Sequence, residues 1–162
     1  AVETFGYNLY MKMLNEEILK LKGENEEELE DVNIELNFPR FLPNNYIEKN
    51  EKIKIYKRAL ALKTLEELEE LHNELEDRFG KLKSEAKGFF EFLKIRIRAR
   101  ELGIVSIKED KEKRLLINFN EEKINVDKII YLLANKKISY LKFTQTIGFE
   151  GDIFEFFDLY SN

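Results

Sequence analysis

The spacing of apolar residues changes character at Gly103, and that change limits the possible folds more than any other feature of the chain. Upstream, Leu65, Leu68, Leu71, Leu75 and Phe79 recur in steps of three and four, which puts them on one face of a helix. Thr64 followed by Glu67 is a capping-box pair at its start, and Gly80 is its stop. Ser84 is expected to cap the next helix, with Ala86, Phe89, Phe90, Leu93 and Ile97 facing the core and Gly103-Ile104 closing it. Downstream the period becomes two. Residues 104–108 and 114–119 predict a hairpin around the charged turn 109–113. Helices and strands are segregated along the chain, so the fold class is α+β. The expected architecture is several amphipathic helices on a small, mainly antiparallel sheet, with the hairpin in the C-terminal half.

The flanking segments fit the same scheme. Tyr7, Tyr10, Met11, Leu14, Ile18 and Leu21 predict a helix over 6–22, stopped by Gly23. The acidic run 24–31 repels itself and predicts a mobile, solvated linker. Val32, Ile34, Leu36 and Phe38 alternate with polar residues as in a strand with one wet face, and Pro39 ends it. A turn-rich loop over 41–46 precedes a helix over 51–62 that buries Ile53, Tyr56 and Leu60. Asn125 is placed to cap a helix over 126–134, residues 138–143 predict a strand, and Asp152 caps a last helix carrying Ile153, Phe156 and Phe157. A length of 162 residues suits one domain over 1–162. The chain opens on Ala1 rather than Met, as expected of a processed product or a piece of a longer protein.

Absences narrow the chemistry. With no Cys and one His, a structural zinc site, a thiol nucleophile and a disulfide framework are excluded. A serine triad could use only His72, at the edge of the leucine stripe, where a half-buried packing role is the simpler reading. None of the seven glycines forms GxxxxGK[ST] or GxGxxG, so no loop is built to cradle a nucleotide phosphate. No apolar run approaches the ~18 residues that span a bilayer, and an intracellular soluble domain is expected. Carboxylate pairs such as Glu16 with Glu17 and Glu74 with Asp77 arise by chance among 32 acidic residues, and nothing marks one as buried. No cofactor and no metal are expected. A binding or regulatory domain fits better than a catalyst.

Two charged surfaces remain. Glu67, Glu70, Glu74 and Asp77 form an acidic ridge beside the leucine stripe, either a solvated face or a surface that takes arginines. Lys94, Arg96, Arg98 and Arg100 are two apart, so they spread around their helix instead of lining one side as a phosphate-binding stripe would. A net charge of −5 also disfavours a general nucleic-acid binder. The rings Tyr140, Phe143, Phe154, Phe156, Phe157 and Tyr160 read as core and docking surface.

Several segments, in order, carry a family resemblance. Phe5-Gly6-Tyr7-Asn8-Leu9-Tyr10-Met11 opens the helix expected over 6–22; after the acidic spacer come Val32-Asn33-Ile34-Glu35-Leu36 and Leu42-Pro43-Asn44-Asn45-Tyr46-Ile47. Ile55-Tyr56-Lys57-Arg58, Glu67-Leu68, Glu74-Leu75-Glu76-Asp77-Arg78-Phe79-Gly80 and Leu102-Gly103-Ile104 follow. Together they resemble the C-terminal (TRCF) domain of bacterial transcription-repair coupling factors, the Mfd family, across nearly the whole chain. Lys83 departs from the pattern, where a proline is expected after the turn.

The resemblance implies a large cytoplasmic parent acting in nucleotide excision repair of DNA damage. That parent recognises RNA polymerase stalled at a lesion, displaces it with an ATP-dependent DNA translocase of helicase-like build, and recruits UvrA. The motor and the polymerase-binding module lie upstream of such a domain. The domain itself is implied to be non-catalytic and monomeric, with no membrane contact. It is an autoinhibitory clamp that masks the UvrA-binding module and restrains the motor. Carried over residue by residue, Glu74 and Asp77 face arginines of the masked module, and Arg78 orients those carboxylates or pairs across the interface. The alternative is a stand-alone nucleic-acid-binding domain using the basic helix segment 94–100 and the late aromatics.

Overall fold

A computed structural model describes residues 31–142 and 145–162. The helix expected over 6–22, the acidic run from Glu24 to Glu30, and Phe143 and Thr144 lie outside the described residues. The described residues divide into two compact units, Phe38–Ile97 and Asp31–Asn37 with Arg98–Asn162.

The first unit is helical. It holds α1 (Lys49–Ala61), α2 (Leu65–Phe79) and the greater part of α3 (Glu85–Leu102). Its core gathers Leu42, Ile47, Ile55, Tyr56, Ala59, Leu71, Leu75, Phe89 and Leu93, all nearly inaccessible to solvent. Ile55 and Ala59 join Tyr56 and Leu60 on the buried face of α1, while Ile53 is only half-buried. The Tyr56 hydroxyl accepts the Leu42 N–H at 2.7 Å, and its ring meets Phe89 edge-on at 5.1 Å. A polar group is thereby buried with its hydrogen bond made, which removes most of the desolvation penalty.

The loop before α1 is fastened to both neighbouring helices. Tyr46 donates its hydroxyl to the Gly80 carbonyl at 2.7 Å, just past the end of α2. Phe41 N–H donates to the Glu85 carbonyl at 3.2 Å, in the first turn of α3. Ser84 stands at φ +42°, not in the extended conformation of an N-cap, so the expected Ser84 cap is corrected.

The second unit is a five-stranded sheet in the order β1-β2-β3-β5-β4, with two helices. Its strands are β1 (Asn33–Glu35), β2 (Ile104–Glu109), β3 (Leu115–Phe119), β4 (Ser139–Leu141) and β5 (Thr146–Phe149). The helices are α4 (Val126–Ala134) and α5 (Ile153–Ser161). The expected hairpin is present: β2 and β3 pair antiparallel with Ile107 opposite Ile117. In its turn, Asp110 takes the N–H groups of Glu112 and Arg114, both at 2.9 Å, and the Arg114 guanidinium at 3.0 Å. The Arg114 N–H, first among these contacts, holds the Asp110 carboxyl below its ordinary range. All pairings are antiparallel except β1 with β2, which run parallel.

β5 has no counterpart in the sequence reading. All four of its residues are buried, so apolar and polar positions do not alternate, and Gly148 sits inside it. The strand expected over 138–143 is observed only as Ser139–Leu141. Asn125 and Asp152 cap α4 and α5 as expected, accepting from Lys128 N–H and Phe154 N–H at 3.1 Å each. Phe156, Phe157 and Tyr160 are core residues: Phe156 packs on Phe149, and the Tyr160 hydroxyl accepts the Asn125 N–H at 2.8 Å.

Candidate interaction surface

Helix α2 begins as its sequence dictates. Thr64 Oγ1 accepts the Glu67 N–H at 3.1 Å, and the Glu67 carboxylate returns to the Thr64 hydroxyl at 3.1 Å and the Lys63 N–H at 3.4 Å. The first bond satisfies a donor that a helix start leaves open, while the return from Glu67 falls on the Thr64 hydroxyl and the Lys63 N–H rather than on the Thr64 N–H. Thr64→Ala is expected to cost about 1 kcal/mol of stability, readable as a lowered urea midpoint with an unchanged slope.

Leu68, Leu71 and Leu75 are buried, which fixes the orientation of the helix. At about 100° per residue, the side directly opposite that stripe carries Glu66, Glu70, Asn73 and Asp77, all exposed. Asp77 makes no ion pair among the described residues.

Glu74 lies on the flank facing α1, and its carboxylate is occupied. Arg58 donates two hydrogen bonds to it, Nη1 to Oε2 at 2.5 Å and Nη2 to Oε1 at 3.0 Å. Arg78 approaches Oε2 at 3.4 Å and also reaches Glu51 at 3.3 Å. The Arg58 hydrogen bond, with a smaller contribution from Arg78, holds the Glu74 carboxyl below its usual range. The pairs are well exposed, Arg58 with half of its side chain in water, so each contributes little to stability.

Of the sequence-derived residues, the structure therefore brings Glu74 and Arg78 together and leaves Asp77 apart on the outer face. Arg58 and Glu51 complete the network. Sequence reasoning missed both, because Arg58 and Glu74 are 16 residues apart and on different helices.

His72 is an edge residue. Its ring lies 5.2 Å from Phe90, tilted by 43°, and Nε2 is 3.3 Å from Glu76. Among the described residues, no group of three or more His, Cys, Asp or Glu is arranged to hold a metal, and no helix is long and apolar enough to cross a membrane. The basic run on α3 does not line one side of the helix. Arg96 is buried and donates to the Leu60 carbonyl at 3.0 Å. Arg98 lies 5.8 Å from the Phe157 ring centre and 3.7 Å from Glu101, while Lys94 is at an exposed position.

The TRCF domain family matches the chain over residues 36–129, which include the whole of α2. The chain is 35% identical over 162 residues to the transcription-repair-coupling factor of Escherichia coli (strain K12), an alignment covering 91% of this chain and 14% of that protein. It is 36% identical over 135 residues to the transcription-repair-coupling factor of Borreliella burgdorferi, covering 82% of this chain and 12% of the relative. The chain thus spans a small fraction of the length of these relatives. Among solved structures, it resembles the crystal structure of a C-terminal domain of transcription-repair coupling factor, with a TM-score of 0.65 and 19% identity. That match covers 80% of this chain and 87% of the other, and it supports the α+β fold.

Proposed function

The chain belongs to the TRCF domain family, and on that footing we propose that it is the regulatory, autoinhibitory interaction domain of a transcription-repair coupling factor. It masks the UvrA-binding module of its parent, restrains the DNA translocase motor, and carries out no catalysis of its own. The parent works in the cytoplasm with RNA polymerase, DNA and UvrA in transcription-coupled nucleotide excision repair.

The observation that carries this reading is the solvent-facing acidic side of α2, with Glu66, Glu70 and Asp77 exposed on a helix locked by its cap and its leucine stripe. A rigid row of carboxylates suits charge-assisted pairing with arginines. Asp77 meets a partner arginine directly. Glu74 stands beside it and takes part by releasing Arg78, the longer of its two arginine contacts. Arg78, still within reach of Glu51, then turns one guanidinium edge to the interface.

Reversing Glu74 and Asp77 to Lys in the parent protein is expected to weaken the clamp about 10-fold or more. UvrA pull-down without polymerase should then recover more UvrA than wild type does. Asp77→Lys alone is the cleaner variant, because it disturbs no internal ion pair, and it should shift recovery in the same direction. Equal, weak recovery by all three proteins, with unchanged thermal unfolding, would remove α2 from the mechanism.

A further inference from the structure

On the flank of α2 away from Glu74, an open groove of about 770 Å³ lies between α2 and the first turns of α3. Leu65, Leu68, Leu82 and Phe90 line it with apolar surface. Its two sides carry opposite charge. Glu69 and Glu76 stand on α2, while Lys81, Lys87 and Lys94 stand opposite, tempered by Glu91. Glu76 is engaged within the fold, taking the Leu82 N–H at 3.2 Å and facing His72. Glu69 and Lys87 are exposed, and neither makes an ion pair among the described residues. Lys81 and Glu91 are exposed as well, so the groove presents Glu69 on the α2 side and a net positive charge on the other across an apolar floor.

We propose that this groove receives an amphipathic helix of a partner protein, with a basic edge toward Glu69 and an acidic edge toward Lys87. A cleft between two helices matches a third helix in shape, and helix-in-groove recognition anchors such a segment through residues spaced three and four apart. From Leu65 to Glu76 the wall is about 16 Å long, enough for three turns and two or three anchoring side chains. The charges select the partner. A second copy of this chain fits poorly: its exposed helical seam, Val126 and Ile130 on α4, has Asp127 beside it, while Lys128 projects from the far side of the helix. This site is separate from the acidic outer face of α2, so it stands or falls independently of the masking role.

The test is fluorescence anisotropy with the full 162-residue chain and two labelled, stapled three-turn peptides sharing one Leu/Phe seam. One peptide carries Arg on one edge and Glu on the other; the second carries Arg on both. Wild type should bind the bipolar peptide saturably and about fivefold more tightly than the doubly basic one at low salt. Lys87→Glu leaves Lys81 and Lys94 balanced by two carboxylates on that side and should erase the preference, while Glu69→Lys should weaken both peptides. Circular dichroism checks that each variant is folded. No saturable binding, or the full preference for the bipolar peptide kept in Lys87→Glu, overturns the proposal. Sedimentation of the chain alone should give a monomer; a dimer that the bipolar peptide dissociates would assign the groove to a second copy and equally overturn it.

Discussion

Gly88→Ala is expected to lower the stability of the chain by about 2 kcal/mol, against the usual direction of such a change inside a helix. Gly88 lies in α3, where alanine is ordinarily better by about 1 kcal/mol. Its surroundings decide the sign. A Cβ built there lies 1.8 Å from the Pro39 carbonyl oxygen and 3.0 Å from its carbon, so loop backbone must move to admit it. That loop is poorly placed to move. Phe41 N–H is bonded to the Glu85 carbonyl, and the Arg40 guanidinium lies over the Phe92 ring at 5.0 Å. Overpacking of this kind costs about 3 kcal/mol, and the helical gain offsets roughly a third of it. Urea unfolding of Gly88→Ala should show a lower midpoint with an unchanged slope. A stability gain of about 1 kcal/mol would mean that the loop yields freely and that glycine is not required for this close approach.

What the sequence reveals and what it hides divides by range. Helix α2 is legible because its signals are local: Thr64 with Glu67 at the start, the leucine stripe, and Gly80 at φ +91° at the end. The hairpin of β2 and β3 is legible because each strand alternates and the turn between them is charged. β5 is hidden because burial on both faces erases the alternation by which a strand is recognised. The acidic ridge is half-legible. Helical spacing locates Glu70 and Asp77 on the surface, but it cannot show that Arg58, from another helix, already holds Glu74. The packing of Gly88 against Pro39 is equally invisible, since the two residues meet only in the fold.

Arg96→Ala is expected to cost about 3 kcal/mol of stability and to leave DNA affinity unchanged. Even spacing along residues 94–100 shows that the four cations are spread around α3; the fold shows what one of them does instead of meeting phosphate. Arg96 is only 7% exposed, and its Nη1 donates to the Leu60 carbonyl at 3.0 Å. Leu60 lies in the last turn of α1, where carbonyls have no partner within their own helix. Truncation strands that buried oxygen at about 1–3 kcal/mol and removes the packed aliphatic stem, worth about 1 kcal/mol more. Arg96→Lys keeps a charged donor and most of the stem, so it should recover part of the loss. Lys94→Ala, at an exposed position, should change stability by about half a kcal/mol or less. A gel shift at moderate salt separates this structural role from the nucleic-acid alternative. Wild type, Arg96→Ala and Lys94→Ala should all bind duplex DNA negligibly. A wild-type shift that Arg96→Ala abolishes while remaining folded, with the salt slope reduced by about one, would make Arg96 a phosphate contact and revive the nucleic-acid reading.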